Sequence, residues 1–150
     1  MTRISDEGLA LLISKVTLTM ARMGFLAAPC RIGRRPIGRT ALVALGDGAW
    51  TVGLSCDRLS LERLCAALLV GTGLQADEAL RDDALRELAN MTAGQIKGVL
   101  CPDKTLGLPR LMDGAPPPDG SWRRVCLHSD DVEVVLWLKK SKGTDWEPVT

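Results

Sequence analysis

Apolar residues recur every three or four positions near the start of the chain, which is the spacing of an amphipathic helix. Within 6–23 the apolar positions that follow this spacing are Leu9, Leu12, Ile13, Val16 and Met20. Ser5 or Asp6 can cap the start of this helix, and Gly24 is placed to end it. The pattern therefore predicts a first helix that buries a single face.

The same spacing predicts two more helices in the middle of the chain. A short helix is predicted over 61–70. A longer helix is predicted to begin near 79 or 82 and to end at Leu100, because Pro102 cannot continue it. The residues 106–112 that follow are expected to form a short extended piece.

Alternating apolar and polar residues predict two pairs of strands. The first pair covers 40–45 and 49–55, joined by Gly46-Asp47-Gly48, and the second covers 121–128 and 132–140. The glycine content of this link suits a tight hairpin. A phosphate-binding loop is the alternative, but the link lacks the Lys-Ser/Thr pair of such a loop. Since the strands come in consecutive pairs, the predicted fold class is α+β, an antiparallel sheet with helices packed on one side.

A basic segment over 28–39 contains four arginines, namely Arg31, Arg34, Arg35 and Arg39. It can be interpreted as a docking patch, or as a solvated edge strand and loop whose charges protect the edge from pairing. Pro29 and Pro36 suit a sheet edge, because proline cannot donate to a ladder. No functional role is assigned to this segment.

Composition narrows the class of protein. The 150 residues are 46% hydrophobic and 25% charged, which fits a single domain over 1–150, with 141–150 expected to be a frayed tail. The net charge of +1 and the scarcity of aromatic rings argue against nucleic-acid binding. The chain has acids before any apolar run and no apolar stretch of membrane-spanning length, so we expect a cytoplasmic protein without a membrane partner.

Side chains that commonly perform chemistry are few. The single histidine, His128, lies on the alternating run 121–128 and is expected on its solvent face. The cysteine count is odd and no two cysteines form a C-x-x-C pair, so neither a disulfide framework nor a zinc site is predicted. The five cysteines are Cys30, Cys56, Cys65, Cys101 and Cys126.

The long helix has two contrasting faces when its residues are placed at about 100° per residue. Its predicted core face consists of Leu85, Leu88, Thr92, Ile96 and Val99. The opposite face consists of Asp83, Glu87, Asn90, Gly94 and Lys97. Glu87 and Asn90 are three residues apart, so their side chains are neighbours. Gly94 and Gly98 each destabilise a helix by about 1 kcal/mol relative to alanine, which fits either the close approach of a partner or an ordinary solvated face.

The segment 87–97 resembles the signature helix of the CheC/CheX/FliY family of chemotaxis phosphatases. That signature has a Glu, two residues, an Asn and a Met, with a Gly four residues after the Asn and then a Lys, here Glu87, Asn90, Met91, Gly94 and Lys97. The order of the neighbouring elements also agrees, including Leu106-Gly107-Leu108-Pro109 after the helix. The resemblance covers about 40–140 and is closest to the CheX type, because Glu-x-x-Asn occurs on one helix only. Gln95 departs from the family, which often has Asn there.

The resemblance implies an enzyme that hydrolyses the aspartyl phosphate of a CheY-like response regulator. Asn90 would lie beside the phosphate and orient a water molecule for attack, because an amide both donates and accepts hydrogen bonds. Glu87 would pair with the active-site lysine of the regulator. No cofactor is expected in this chain, since Mg²⁺ would be held by carboxylates of the regulator. Further contacts with the regulator would come from Asp83, Met91, Gly94 and Lys97.

The family also implies a homodimer that pairs through its sheets, for which the long apolar strand over 132–140 is suited. Two alternatives to the phosphatase remain open. The chain could be a module of the same fold that binds a regulator or another signalling protein without hydrolysis. It could also be a structural domain in which Glu87 and Asn90 are ordinary surface residues.

Overall fold

The computed structural model describes residues 4–30, 36–46, 48–116 and 121–140. The elements in these ranges are α1 (Asp6–Ala21), β1 (Leu26–Ala27), β2 (Ile37–Leu45), β3 (Trp50–Asp57), α2 (Arg58–Leu68), α3 (Glu78–Leu100), β4 (Arg110–Asp113), β5 (Arg123–Ser129) and β6 (Val132–Lys140). The six strands form one antiparallel sheet in the order β1-β5-β6-β3-β2-β4. The predicted α+β class is confirmed. The tail 141–150 lies outside the described residues.

Side-chain caps set where the helices begin. The Ser5 hydroxyl accepts the Gly8 N–H at 3.0 Å at the start of α1, and the Asp57 carboxylate accepts the Ser60 N–H at 2.8 Å at the start of α2. The first helix ends earlier than predicted, because Arg22 adopts the left-handed conformation (φ 57°) that Gly24 was expected to supply. None of the helices in the described ranges is long and apolar enough to span a membrane.

The start of α3 is likewise fixed by a cap. The Asp77 carboxylate accepts the Leu80 N–H at 2.8 Å, so the helix begins at Glu78, and it ends at Leu100 as predicted. Four of the five predicted core residues of α3 are fully buried, namely Leu85, Leu88, Thr92 and Ile96. Val99 is 38% exposed, which corrects the prediction for that residue. The buried face of α3 also includes Ala89 and Ala93, and in the last turn Leu100 packs against the core in place of Val99.

The central position of β6 changes the expectation about pairing between copies. β6 lies between β5 and β3 and is hydrogen-bonded along both edges, so it has no free edge to offer to a second sheet. The edge strands of the described sheet are β1 and β4. The apolar run over 132–140 is instead explained by burial on both faces of a central strand.

The basic segment also differs from its predicted arrangement. Arg39 lies in β2, an interior strand, and not at a sheet edge. Its guanidinium bonds Asp113 of β4 at 3.0 Å and Asp82 of α3 at 2.9 Å, so it ties the end of the sheet to the long helix. The other three arginines of the segment fall at 31–35, outside the described residues.

The helices cover one face of the sheet, and a smaller cluster covers the far face. This cluster contains Cys126, Val135 and Trp137, with Ile37 and Trp122 packed against them. The Trp137 indole N–H donates to the Ser55 hydroxyl at 2.8 Å, so its polar atom is satisfied within the sheet. Side chains of the sheet and of Trp122 therefore cover part of the far face.

Two sequence predictions are corrected on this far face. His128 is buried, because the chain after β1 crosses over it, and its Nε2 lies 3.2 Å from the Pro29 carbonyl oxygen and 3.0 Å from the Glu133 carboxylate. Cys30 on the same segment forms a disulfide with Cys126 of β5, with Cα atoms 5.1 Å apart. The pair is 96 residues apart in sequence, so spacing could not reveal it.

Candidate functional site

The polar face of α3 carries the two residues that the sequence singled out. Glu87 is exposed and Asn90 is half-buried, one turn further along the helix. Their side chains make no hydrogen bond or ion pair with any described residue. A carboxylate and an amide thus lie side by side with their polar atoms available to an incoming molecule.

The charged neighbours of this pair are engaged within the chain. Asp83 accepts a hydrogen bond from the Arg86 guanidinium at 2.7 Å, in an exposed pair three residues apart. Lys97 donates to the Pro102 carbonyl oxygen at 2.9 Å and so closes the end of its own helix. Both residues lie on the predicted face, and each keeps hydrogen-bonding capacity beyond its present partner.

Gly94 lies in the same face, with an apolar side chain beside it. A Cβ placed on Gly94 would be 4.0 Å from Cδ2 of Leu106, which is ordinary contact, and the residue is half-buried. Met91 is 38% exposed and Leu106 is 37% exposed. The polar pair is therefore accompanied by exposed apolar side chains, which is the composition of a docking surface.

The loop that carries Leu106 is seated firmly on β2. The Gly107 N–H donates to the Ala44 carbonyl oxygen at 2.7 Å, and the Gly46 N–H donates to the Thr105 carbonyl oxygen at 2.9 Å. A Cβ on Gly107 would lie 2.9 Å from that Ala44 oxygen, so only glycine fits without displacement. We call residues 105–109 the Leu106 loop. Sequence analysis noted it only as a flanking element, although glycine between two leucines was the available signal.

The three free cysteines of the described residues lack the activation that a nucleophile needs. Burial raises the pKa of the Cys56 thiol, helped by the carboxylates of Asp57 and Glu133, and burial also raises the pKa of the Cys65 and Cys101 thiols. A nucleophilic cysteine needs the opposite shift. No group of three or more metal-ligating side chains occurs among the described residues. The face can position a water molecule or a partner side chain.

Solved structures with the same fold include CheX and CheC-like chemotaxis proteins. CheX from Vibrio vulnificus has a TM-score of 0.71 at 14% identity, with 89% of this chain and 93% of that chain covered. CheX from Desulfovibrio desulfuricans has a TM-score of 0.71 at 16% identity, covering 89% and 96%. A chain of the CheX–CheY–BeF₃–Mg²⁺ complex from Borrelia burgdorferi has a TM-score of 0.62 at 16% identity, covering 92% and 98%.

These likenesses confirm the predicted CheX-like fold. At such low identity they show the fold alone. No protein-family model and no curated protein matches the chain. What the polar face does is therefore argued from its residues.

Proposed function

We propose that this protein is a phosphatase that hydrolyses the aspartyl phosphate of a CheY-like response regulator. The observation that carries the proposal is the pair Glu87 and Asn90, which lie adjacent on the polar face of α3 without a partner among the described residues. A fold neighbour comes from a CheX–CheY complex, which supports a regulator as the partner.

Asn90 would act by positioning. Its amide cannot serve as a base at neutral pH, but it can accept a hydrogen bond from a water molecule and hold it in line with the phosphorus. Phosphoryl transfer depends mainly on such positioning and on neutralised charge. The regulator would supply its own Mg²⁺, its lysine and the acyl phosphate, so this chain needs no cofactor.

Glu87 would fix the approach of the regulator. An exposed carboxylate one turn before Asn90 can pair with a lysine at the rim of the phosphorylated site, which also keeps the amide at a constant distance from the phosphate. The apolar side chains of Met91 and Leu106, each more than a third exposed, would add contact area on either side. Asp83 and Lys97 would join the interface through the hydrogen-bonding capacity that their present partners leave open.

The resemblance also supports a homodimer in the cytoplasm. Since both edges of β6 are occupied, pairing through the sheet would use the edge strands β1 or β4. Light scattering on the purified protein tests this: a mass of one chain at micromolar concentration would contradict it.

The phosphatase is tested by the decay of a phosphorylated response regulator from the same cell, with and without this protein. Asn90→Ala is expected to lower the acceleration by roughly 10²–10³-fold, the usual loss for one positioned polar group in a transition state, while binding survives. Gln95→Ala is the matched control, an exposed polar residue on the same helix. Binding without acceleration would establish the non-catalytic module instead, and failure of every regulator to bind would contradict both.

A further inference from the structure

The disulfide between Cys30 and Cys126 is asymmetric in its access to solvent. Cys30 lies just after the two-residue edge strand β1 and is exposed, whereas Cys126 lies within β5 and is 3% exposed. The Cα separation of 5.1 Å falls inside the ordinary range for a disulfide. An incoming thiolate can therefore reach the Cys30 sulfur, with Cys126 as the leaving group.

A cleft of about 360 Å³ opens beside this disulfide and is lined by both cysteines. The start of α1 contributes Asp6 and Glu7 to the cleft, and β5 contributes Arg124. Asp6 already pairs with the Arg123 guanidinium at 2.6 Å, whereas Glu7 has no partner among the described residues. Carboxylates on one side and a guanidinium on the other suit a small molecule that carries both an ammonium group and carboxylates.

Polar side chains flank Cys126 along its own strand, whereas the residues packed against it from β6 are apolar. Residues two apart in a strand share a face, so Arg124 and His128 lie on either side of Cys126 on the far face of the sheet. A guanidinium beside a cysteine favours its thiolate form. His128 is 9% exposed, and its Nδ1 has no hydrogen-bond partner among the described residues, which leaves a buried polar atom unused in the side chain two residues after Cys126.

We propose that Cys30 and Cys126 form a thiol–disulfide exchange site for a low-molecular-weight thiol of the glutathione class, which carries an ammonium group and carboxylates. The thiolate attacks the Cys30 sulfur, the Cys30–Cys126 bond breaks, and Cys126 leaves as a thiolate that takes up a proton. A second thiol molecule attacks the mixed disulfide on Cys30, releasing the oxidised small-molecule disulfide and the Cys30 thiol. Two electrons pass from the two thiols to the protein, and the reverse sequence closes the bond.

Opening the disulfide would loosen the segment that covers the far face. Besides the disulfide, residues 28–30 are held to β5 by the Ala28 N–H, which donates to the Cys126 carbonyl oxygen at 3.0 Å, and by the Pro29 carbonyl oxygen, 3.2 Å from the Nε2 of His128. Both lie within two residues of the cysteines. The redox state of one bond would therefore decide how tightly this segment covers His128.

The test equilibrates the purified full chain with buffers of defined ratio of reduced to oxidised glutathione, followed by alkylation and mass spectrometry. The wild type is expected to gain two alkylated thiols as the ratio rises, through an intermediate that carries one glutathione on Cys30. Cys30→Ser should abolish the transition, whereas Cys101→Ser, which removes a half-buried free thiol, should preserve it. A thiol count that stays constant across all ratios, or glutathione adducts that form on Cys101 and never on Cys30, would overturn the proposal.

A second experiment tests whether the charged side chains of the cleft recognise the thiol. Arg124→Gln should slow opening by glutathione by roughly two- to fivefold more than it slows opening by uncharged β-mercaptoethanol, the value of one exposed ion pair, because any effect of Arg124 on the leaving sulfur is common to both thiols. Equal slowing with both thiols would show that Arg124 acts on the leaving sulfur only and would refute recognition of a charged thiol. Unchanged rates with both would refute recognition of a charged thiol in the cleft.

Discussion

Replacing Gly107 with alanine should lift the Leu106 loop away from strand β2. The added Cβ would lie 2.9 Å from the Ala44 carbonyl oxygen and 3.4 Å from the Ala44 Cβ. The nearest atom belongs to the backbone of an interior strand, so the loop must move, and the 2.7 Å hydrogen bond from the Gly107 N–H would lengthen or break. Leu106 would then leave its position beside Gly94.

The magnitude follows from these two effects. Forcing a methyl group into a closely packed site destabilises a protein by about 1–3 kcal/mol, and losing one hydrogen bond adds about 1 kcal/mol. The sum is roughly 2–4 kcal/mol, which for a protein of this size lowers Tm by roughly 5–15 °C. Regulator binding should weaken as well if Leu106 contributes to the docking surface.

Gly98→Ala is the control, because a Cβ there meets no atom within 4 Å. Alanine in a helix interior is favoured over glycine by about 1 kcal/mol, so Tm should rise by roughly 2–4 °C. Thermal unfolding followed by circular dichroism, with urea unfolding as a second measure, gives both values. Unchanged stability in Gly107→Ala would show that the loop is not seated on β2, and a loss in Gly98→Ala would show that this face of α3 is covered.

Three further substitutions test the packing and the covalent link, each measured by urea unfolding. Thr92→Val should raise the free energy of unfolding by about 1 kcal/mol, because its buried hydroxyl has no partner among the described residues; a loss would reveal a hidden hydrogen bond. Thr17→Val should lower it by about 1–3 kcal/mol, since that hydroxyl donates to the Met23 carbonyl oxygen at 2.6 Å; no change would refute the bond. Cys30→Ser should lower the free energy of unfolding by roughly 4–5 kcal/mol under oxidising conditions, which is the loop-entropy value for a disulfide that closes about 100 residues. With a reductant present the loss should be far smaller, and equal losses under both conditions would argue against the disulfide.

Local periodicity was enough to predict the helices, the hairpins and the fold class. Leu85, Leu88 and Ile96 are buried because the helical repeat places them on one side whatever they pack against. The order of strands in the sheet was not predictable in this way. That β6 inserts between β3 and β5 depends on contacts between residues more than 75 positions apart, such as Val52 with Leu138.

The wrong predictions for His128 and for the cysteines have the same physical cause. Alternation predicted His128 on the face of β5 away from the helices, and the structure places it there. That face is nevertheless buried at His128, because residues 28–30 pass over it, and the path of these residues was not readable from the sequence. The same path brings Cys30 to Cys126. In the candidate site, the spacing of Glu87 and Asn90 was readable from the sequence. Two other contacts could not be predicted, because they depend on the path of the chain after α3. Lys97 donates to the Pro102 carbonyl oxygen, and Gly107 packs against Ala44.

The insertion of β6 at the centre of the sheet has a consequence for synthesis on the ribosome. Until Val132–Lys140 has emerged, the sheet can exist only as two fragments, β2 with β3 and β4, and β1 with β5. Each fragment then presents an unpaired strand edge, β3 in one and β5 in the other, which are the surfaces through which nascent chains aggregate. The final described strand closes both edges in a single step, so a chain stalled before residue 132 should be a preferred client for chaperones.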